Sequence, residues 1–236
     1  MIGQLGIVMM SFRDAFPRGA TFQWFVVALF GFIVRVDHHG VSSSIRRLRV
    51  RDDLYETFLA FFRSDALKLG KVLRHWQLLV ARRCAMRTRA GAFVLIGDGI
   101  KAAKEAKFMP GVKKLHQESE NSGKAPWIFG HHFGVVGMLA GITGKRFCIP
   151  LAGELHEGAL ALRSLQGKRP PTVNGVEKTT VVTLMGELVA TVTRTLAEPC
   201  VAVLDAFFAA APMFAMAKAS IRENGERMLH IITRAK

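Results

Sequence analysis

Acidic residues and cysteines are both scarce in this chain. Its 236 residues hold 18 Asp and Glu against 33 Lys and Arg, a formal net charge of +15, and the sequence pI is near 10.5. So large an imbalance excludes a charge-balanced surface and points to polyanionic partners: DNA, RNA or an anionic membrane. The three cysteines, Cys84, Cys148 and Cys200, lie far apart with no CxxC pair. That spacing excludes a disulfide framework and a cysteine zinc site, and it fits a reducing compartment. All three are expected to be buried free thiols.

Long apolar runs are missing too. The run Trp24 to Val34 is uncharged but only 11 residues long, whereas a spanning helix needs roughly 20. It is predicted to be a core helix. No small-residue cleavage site follows it before His38-His39, so a secretory signal is not expected. A basic membrane-surface protein built on Phe22 to Val34 is a weaker reading, because that stretch lacks a charged face. These absences predict a soluble, cytoplasmic protein with no membrane partner. There is no internal repeat and no low-complexity tract, and no GxxxxGK[ST] follows Gly97-Asp98-Gly99, which excludes a phosphate loop there.

What the chain does have is apolar bulk. Half its residues are hydrophobic and its mean hydropathy is +0.24, which excludes a disordered chain. Its length allows an ordinary domain and a smaller companion. Up to Gly97 there are 15 basic and 6 acidic residues, and from Asp98 onward 18 and 12. The first part reads as helical: Phe58, Leu59, Phe61, Phe62, Ala66, Leu69, Val72, Leu73 and Trp76 recur at the spacing of one buried helix face. Arg46, Arg47 and other basic residues fall between such apolar positions. The expectation is a basic helical domain over 1–90 that binds DNA, or one whose charges merely form a solvated face.

From residue 91 the pattern becomes α/β. Ala92 to Ile96, bounded by glycines, reads as a buried strand. Trp127 to Gly141 reads as a second strand, and Arg146 to Leu151 as a third, a hairpin step away across Thr143-Gly144. Val176 to Leu196 has helical periodicity, with Asn174 or Thr172 as the cap. Cys200 to Leu204 is a fourth strand, Ala209 to about Arg222 a helix, and Leu229 to Thr233 a fifth strand. The predicted order over 91–236 is β-β-β-α-β-α-β.

Two acids take equivalent places in that order: Asp98 follows the first strand and Asp205 ends the fourth. If those strands are neighbours, both carboxylates emerge at one sheet edge, where their repulsion is relieved by a hard divalent cation, Mg²⁺ or Mn²⁺. Paired ions of this kind can activate a water or a 3′-hydroxyl at a phosphodiester. The bland alternative is that each Asp is a turn residue or helix cap. His131 and His132 are consecutive, so on a strand only one can enter a site, and a structural role is the expectation for both. Lys101, Lys104, Lys107, Lys113 and Lys114 cluster after Asp98 around Pro110-Gly111. They form either a solvated loop or a set of phosphate contacts, which position DNA without reading its sequence.

The surrounding text carries a resemblance. Phe93 to Lys101, Met109 to Ser119, Phe129-Gly130-His131-His132, Pro150-Leu151, Glu154 to Gly158 and Val203 to Phe208 resemble the DDE transposases of bacterial insertion sequences. Gly40 to Leu48 and Tyr55 to Ser64 are similar to that family's N-terminal helical region, so the likeness covers nearly the whole chain. It implies an RNase H-like mixed sheet behind a small all-α domain. It also implies Mg²⁺- or Mn²⁺-dependent cleavage and strand transfer at transposon ends and target DNA, by a homodimer or in association with an intact transposase. Carried over by position, Asp98 and Asp205 are the first two catalytic, metal-binding acids. The family's third acid lies on a helix after the fifth strand, and Glu223 and Glu226 precede that strand and do not match it. With Lys236 the last residue given, the resemblance implies the N-terminal portion of a transposase, truncated and catalytically incomplete. The alternative is a DNA-binding fragment without catalysis that interferes with an intact transposase.

Overall fold

The computed structural model describes all residues other than 1, 35, 37–40, 84–85, 105–108, 118–122, 124, 143, 158–171, 174–175, 178–179 and 235–236. The chain divides into two compact units between Leu79 and Val80, eleven residues before the compositional boundary at 90/91.

The first unit is helical: α1 Ile2–Met10, α2 Gly19–Val34, α3 Val41–Leu48, α4 Tyr55–Arg63 and α5 Leu69–Arg83, whose last turn belongs to the second unit. Its core is aromatic. Phe12, Phe16, Phe25, Phe58 and Phe61 are buried together with Ile45 and Ala28. Trp24 stacks on Phe58 at 5.5 Å between ring centroids, and Phe16 lies 4.8 Å from Phe25. Such offset and tilted ring pairs add to simple area burial. The Trp24 to Val34 run is indeed helical, within the 16 residues of α2. Among the described residues no helix is long and apolar enough to cross a membrane.

The single buried face expected from Phe58 to Trp76 is broken in two. Ser64 takes an extended backbone (φ −72°, ψ 133°), and its side-chain oxygen accepts from the Ala66 amide at 3.1 Å. That local bond offers the chain an alternative to the helix ladder, so α4 ends at Arg63. Phe58 and Phe61 are buried, while Leu69 is exposed.

The second unit is mixed α/β. Its strands are β1 Phe93–Ala103, β2 Lys113–His116, β3 Trp127–Ile142, β4 Lys145–Leu155, β5 Thr172–Val173, β6 Val176–Glu177, β7 Cys200–Leu204 and β8 Leu229–Thr233. The helices are α6 Val181–Leu196 and α7 Ala211–Ala219. Six strands form one sheet, and β5 with β6 forms a separate two-stranded ribbon. Within the large sheet, β3 pairs antiparallel with β1, β2 and β4, while β7 pairs parallel with both β1 and β8. A strand has only two edges, so β2 and β4 follow one another along the edge of β3 that β1 leaves open. The path across the sheet is therefore β4-β3-β1-β7-β8. Ile142 pairs with Lys145, and Gly144, just before Lys145, has φ +88°, the left-handed geometry tight hairpins demand.

α6 covers one face. A Cβ at Gly97 would stand 2.7 Å from Met185 Sδ and 2.5 Å from a Leu204 methyl, so only glycine lets β1 meet α6 this closely. Leu184 and Leu188 reach Gly134 of β3, and Gly186 admits Met216 of α7. Phe93, Leu95, Val136, Met138 and Ala202 are buried on this face.

α6 begins later than its periodicity predicts. Thr180, and neither Asn174 nor Thr172, caps it: the Thr180 hydroxyl accepts from the Thr183 amide, and the Thr183 hydroxyl accepts from the Thr180 amide. This reciprocal pair satisfies two amides that the helix start leaves orphaned. Val176 and Glu177 are in β6 instead. α7 is likewise shorter than the predicted Ala209 to Arg222. Cys200 is buried as expected, whereas Cys148 is exposed, and Cys84 lies outside the described residues. Cys148 sits on β4 opposite Leu139, with its sulfur over Gly137, on the face of the sheet away from α6.

Candidate functional site

β1 and β7 run parallel in register from Phe93↔Cys200 to Gly97↔Leu204. The next register position on each chain is an aspartate, Asp98 on β1 and Asp205 just past the end of β7. Strand alternation turns Asp98 away from the face of Gly97 that meets α6, and Asp205 caps the turn that follows β7. β7 stops there while β1 continues for five more residues to Ala103, so a crevice opens beside β1 at the carboxyl ends of the parallel strands. Ligands of open α/β sheets favour such crevices. Here it is a pocket of about 100 Å³ lined by Asp98, Gly99, Lys101, His132, Val181, Asp205, Phe207 and Phe208.

Each carboxylate is held by its own backbone. Asp98 Oδ1 accepts from the Gly99 amide at 2.7 Å, and Asp205 Oδ1 accepts from the Ala206 amide at 2.6 Å, capping the single 3-10 turn Ala206–Phe208. The Thr233 hydroxyl at the end of β8 donates to the Asp205 carbonyl at 2.9 Å. Arg234 comes within 3.6 Å of Asp205 Oδ1, but both side chains are largely exposed, so this ion pair is weak. The turn-and-cap reading of the two acids thus describes real hydrogen bonds, and the same acids line one pocket. Their Oδ2 atoms accept no hydrogen bond among the described residues.

His132 reaches the pocket from β3. Its Nε2 would lie 2.9 Å from a Cβ at Gly99, so Gly99 makes room for the ring. Burial, and then the positive charges of Lys113 and Lys101, push its pKa down to about 4; it is a neutral imidazole at ordinary pH. His131, its neighbour, faces the other way, is buried, and bonds through Nε2 with the Pro110 carbonyl at 3.0 Å. Only one of the two histidines enters the site, as alternation requires. That it is His132 follows from its register opposite Lys101, which no spacing in the sequence displays. Arg234, Phe207 and Phe208 were likewise outside the sequence-based set.

The lysines divide. Lys101 lines the pocket, and its ammonium donates to the His116 carbonyl at 2.7 Å. Lys113 is turned inward: its ammonium bonds His156 Nδ1 and the His156 carbonyl, both at 2.7 Å, and burial lowers its pKa. It braces β2 against the end of β4 rather than standing free for phosphate. Lys104 is exposed, and Lys114 is exposed beside Trp127, 4.8 Å from the ring centroid. Lys107 lies outside the described residues. Between these lysines, Pro110 and Gly111 (φ +75°) form a turn closed by the Val112 amide on the Met109 carbonyl at 3.1 Å. Pro followed by a left-handed Gly is the type II arrangement. Arg46 and Arg47 are exposed on α3 of the first unit, Arg47 donating weakly to the Val34 carbonyl at 3.4 Å.

The donor set suits a hard cation. Mg²⁺ is commonly held by one or two carboxylates, with waters and substrate phosphates completing the shell. Among the described residues no three His, Cys, Asp or Glu side chains are grouped to hold one ion, so Asp98 and Asp205 would share it with water and substrate. The chain matches no protein-family model, no curated protein and no solved structure.

Proposed function

We propose that this chain carries the DNA-binding region and the first two catalytic acids of a DDE transposase of bacterial insertion sequences, built on an RNase H-like sheet. One observation carries the reading: on two parallel neighbouring strands Asp98 and Asp205 each follow the last paired residues, Gly97 and Leu204, Asp98 within β1 and Asp205 just past β7, and they line a single pocket. The strand path supports it as well. With β3 antiparallel on one side of β1 and β7 and β8 parallel on the other, the mixed sheet is compatible with an RNase H-like order, although β2 adds a strand to the five that the sequence predicts.

In this reading Asp98 and Asp205 hold Mg²⁺ or Mn²⁺. When bound, the ion supplies Lewis-acid activation of the attacking oxygen and stabilisation of the leaving one. The chain's own groups position the DNA. Lys101 and neutral His132 flank the pocket, Lys104 and Lys114 offer exposed charge to phosphates, and Arg46 and Arg47 do so on the helical unit. Arg234 neutralises part of Asp205 until a cation or phosphate takes its place. A second reading is favoured by the absence, among the described residues, of a third metal-ligating side chain at the pocket. On that reading the 236-residue chain binds DNA without catalysis and interferes with an intact transposase.

The test combines two titrations. Affinity for a duplex oligonucleotide should fall steeply between about 50 and 200 mM salt, because each neutralised phosphate releases counterions. Mn²⁺ binding by calorimetry should weaken at least tenfold in Asp98→Asn and in Asp205→Asn. Salt-insensitive DNA binding, or Mn²⁺ binding indifferent to both substitutions, would remove the proposal. Mg²⁺-dependent cleavage by the wild-type chain that disappears in Asp98→Ala would exclude the non-catalytic reading.

A further inference from the structure

On the face of the sheet that carries Asp98, the far end of β3 presents Trp127 and Phe129, which are 50% and 42% exposed. Residues two apart on a strand share a face about 6.7 Å apart, so the two rings stand in file along β3. Across the β2 ladder, His116 lies opposite Trp127 and Lys114 opposite Phe129. The His116 ring meets Trp127 edge-on at 4.8 Å, and the Lys114 ammonium is 4.8 Å from the Trp127 centroid. The result is a checkerboard of two aromatic rings, an imidazole and a cation on adjacent strands. Lys104 is also near, since its amide donates to the Phe129 carbonyl at 2.8 Å.

This patch lies on the face away from the packing under α6. The buried residue of β2 is Leu115, which points to the opposite face, and a tryptophan left 50% exposed forgoes about half of the benefit of burying its area. We propose that Trp127 and Phe129 form a stacking platform for unpaired bases of DNA, with Lys114 and Lys104 holding the phosphates of the same strand. The proposal rests on the DNA-binding reading above and adds to it the state of the DNA: locally single-stranded on the patch, which begins roughly 20 Å along β3 from the register position of Asp98.

Three features favour single-stranded DNA as the occupant. Every base has a π-face, so exposed rings flanked by cations bind single strands with little regard to sequence. A paired duplex hides its base faces and would leave the rings uncovered. A partner protein binding an exposed tryptophan would be expected to bring acids to Lys114, whereas a nucleic-acid strand brings both a ring and a phosphate at each step. A base stacked on the indole gains more than the exposed cation–π contact it displaces, which frees the Lys114 ammonium for phosphate. Gly130, between the platform and His131, has no room for a side chain: a Cβ there would stand 2.4 Å from the Ala102 carbonyl oxygen. β1 and β3 therefore approach closely where the platform begins.

The experiment compares oligo(dT) with a duplex of equal length, using the full 236-residue chain, its Trp127→Ala and Trp127→Phe variants, and Lys114→Gln. Trp127→Ala should weaken oligo(dT) binding about tenfold with duplex affinity within twofold of wild type. Trp127→Phe should restore most of the loss, because a smaller ring still stacks. Lys114→Gln should weaken oligo(dT) binding and flatten its salt dependence. Equal losses for single strand and duplex in Trp127→Ala, or no loss for either, would overturn the platform while leaving the duplex-binding proposal intact. Loss of all DNA binding by the wild-type chain would instead sink the proposal above, and this one with it. Tighter binding of oligo(rU) than of oligo(dT) would overturn the assignment to DNA. Circular dichroism of each variant, compared with wild type, keeps a folding defect from passing as a binding loss.

Discussion

The two faces of the large sheet use similar residues to opposite ends. Under α6, Phe93, Leu95, Val136, Met138 and Ala202 are 1% exposed or less, whereas on the other face Ile100, Val203 and Ile232 are 49%, 40% and 56% exposed. Both sets come from the same strands by simple alternation. The covered face is aliphatic and tightly interlocked, with glycines at 97 and 134 where helix and strand meet. The open face carries Asp98 and the platform of Trp127 and Phe129. Stability is thus concentrated under α6, while the candidate pocket lies at the end of the sheet, where Val181 of α6 joins Asp98 and Asp205. Substitutions on the two faces should separate cleanly into effects on folding and effects on binding.

Truncation is the sharpest way to break that contrast. Leu95→Ala should cost about 3 kcal/mol of unfolding free energy, the usual range for a fully buried leucine that leaves a cavity. Val203→Ala, on the neighbouring strand but the open face, should cost less than about 1 kcal/mol. Urea titrations of the two variants read the difference directly. Comparable losses would mean that the open face is packed in solution and that its exposure here is not its working state.

The crevice between the faces makes the next largest prediction. His132 has its folded pKa pushed down to about 4 by burial and by Lys113 and Lys101, against an ordinary 6.5. Between those values the unfolded chain binds the proton more readily, so stability rises with pH across that window. It should be fully present above about pH 6.5 and decline as the pH falls toward 4. His132→Gln should remove this part of the acid destabilisation, seen as a smaller drop between pH 7 and 4.5 than in wild type. An unchanged drop would show that the ring is solvated rather than desolvated at the pocket.

How much of this was legible follows from which residues speak for themselves. Cys200 to Leu204 and Leu229 to Thr233 are short apolar runs with sharp borders, and β7 and β8 occupy those spans. Asp98 and Asp205 could be placed together because each closes such a run. β2 is silent in the sequence because Lys113-Lys114-Leu115-His116 has one apolar residue; it is an edge strand held by its ladder to β3. The start of α6 is not legible because Val176 continues the helical periodicity by chance, while the cap is a reciprocal Thr180–Thr183 pair in which threonine replaces the usual Glu or Gln. His132 could not be preferred to His131 without the cross-strand register. The Trp127 platform needs β2, so it was hidden for the same reason.

Thr180→Ala tests that cap and is a third, smaller effect. Losing the hydroxyl leaves the Thr183 amide unpaired at the start of the helix that covers the sheet, and should cost about 1 kcal/mol. Val181, the next residue, lines the pocket, so fraying here should also weaken Mn²⁺ or DNA binding in proportion to the loss of helix order. Hydrogen exchange at the first turn of α6 would report it, and protection equal to wild type would show that packing rather than capping sets the helix start.

The smallest effect belongs to the opposite end of β1 and β7 from the two aspartates. There Arg87 meets Glu198 through two hydrogen bonds, Nη1 to Oε2 at 2.6 Å and Nη2 to Oε1 at 3.1 Å, with its guanidinium carbon 3.9 Å from the Phe93 ring centroid. The hydrogen bond from Arg87 holds the Glu198 carboxyl below its ordinary pKa. Its contribution is therefore present above the unfolded pKa and fades as the pH falls through the folded one. Both side chains are near 40% exposed, so solvent screening limits the pair to about 1 kcal/mol or less. Glu198→Gln should lower stability by that amount at low ionic strength, and the difference should shrink in 1 M salt, where the screening length is about 3 Å. It should leave DNA and Mn²⁺ affinity untouched, because this charged pair joins strand starts and faces no ligand. A change in either affinity would show that the two ends of the parallel strands are coupled, and that the division between a stabilising region and a binding region fails along β1 itself.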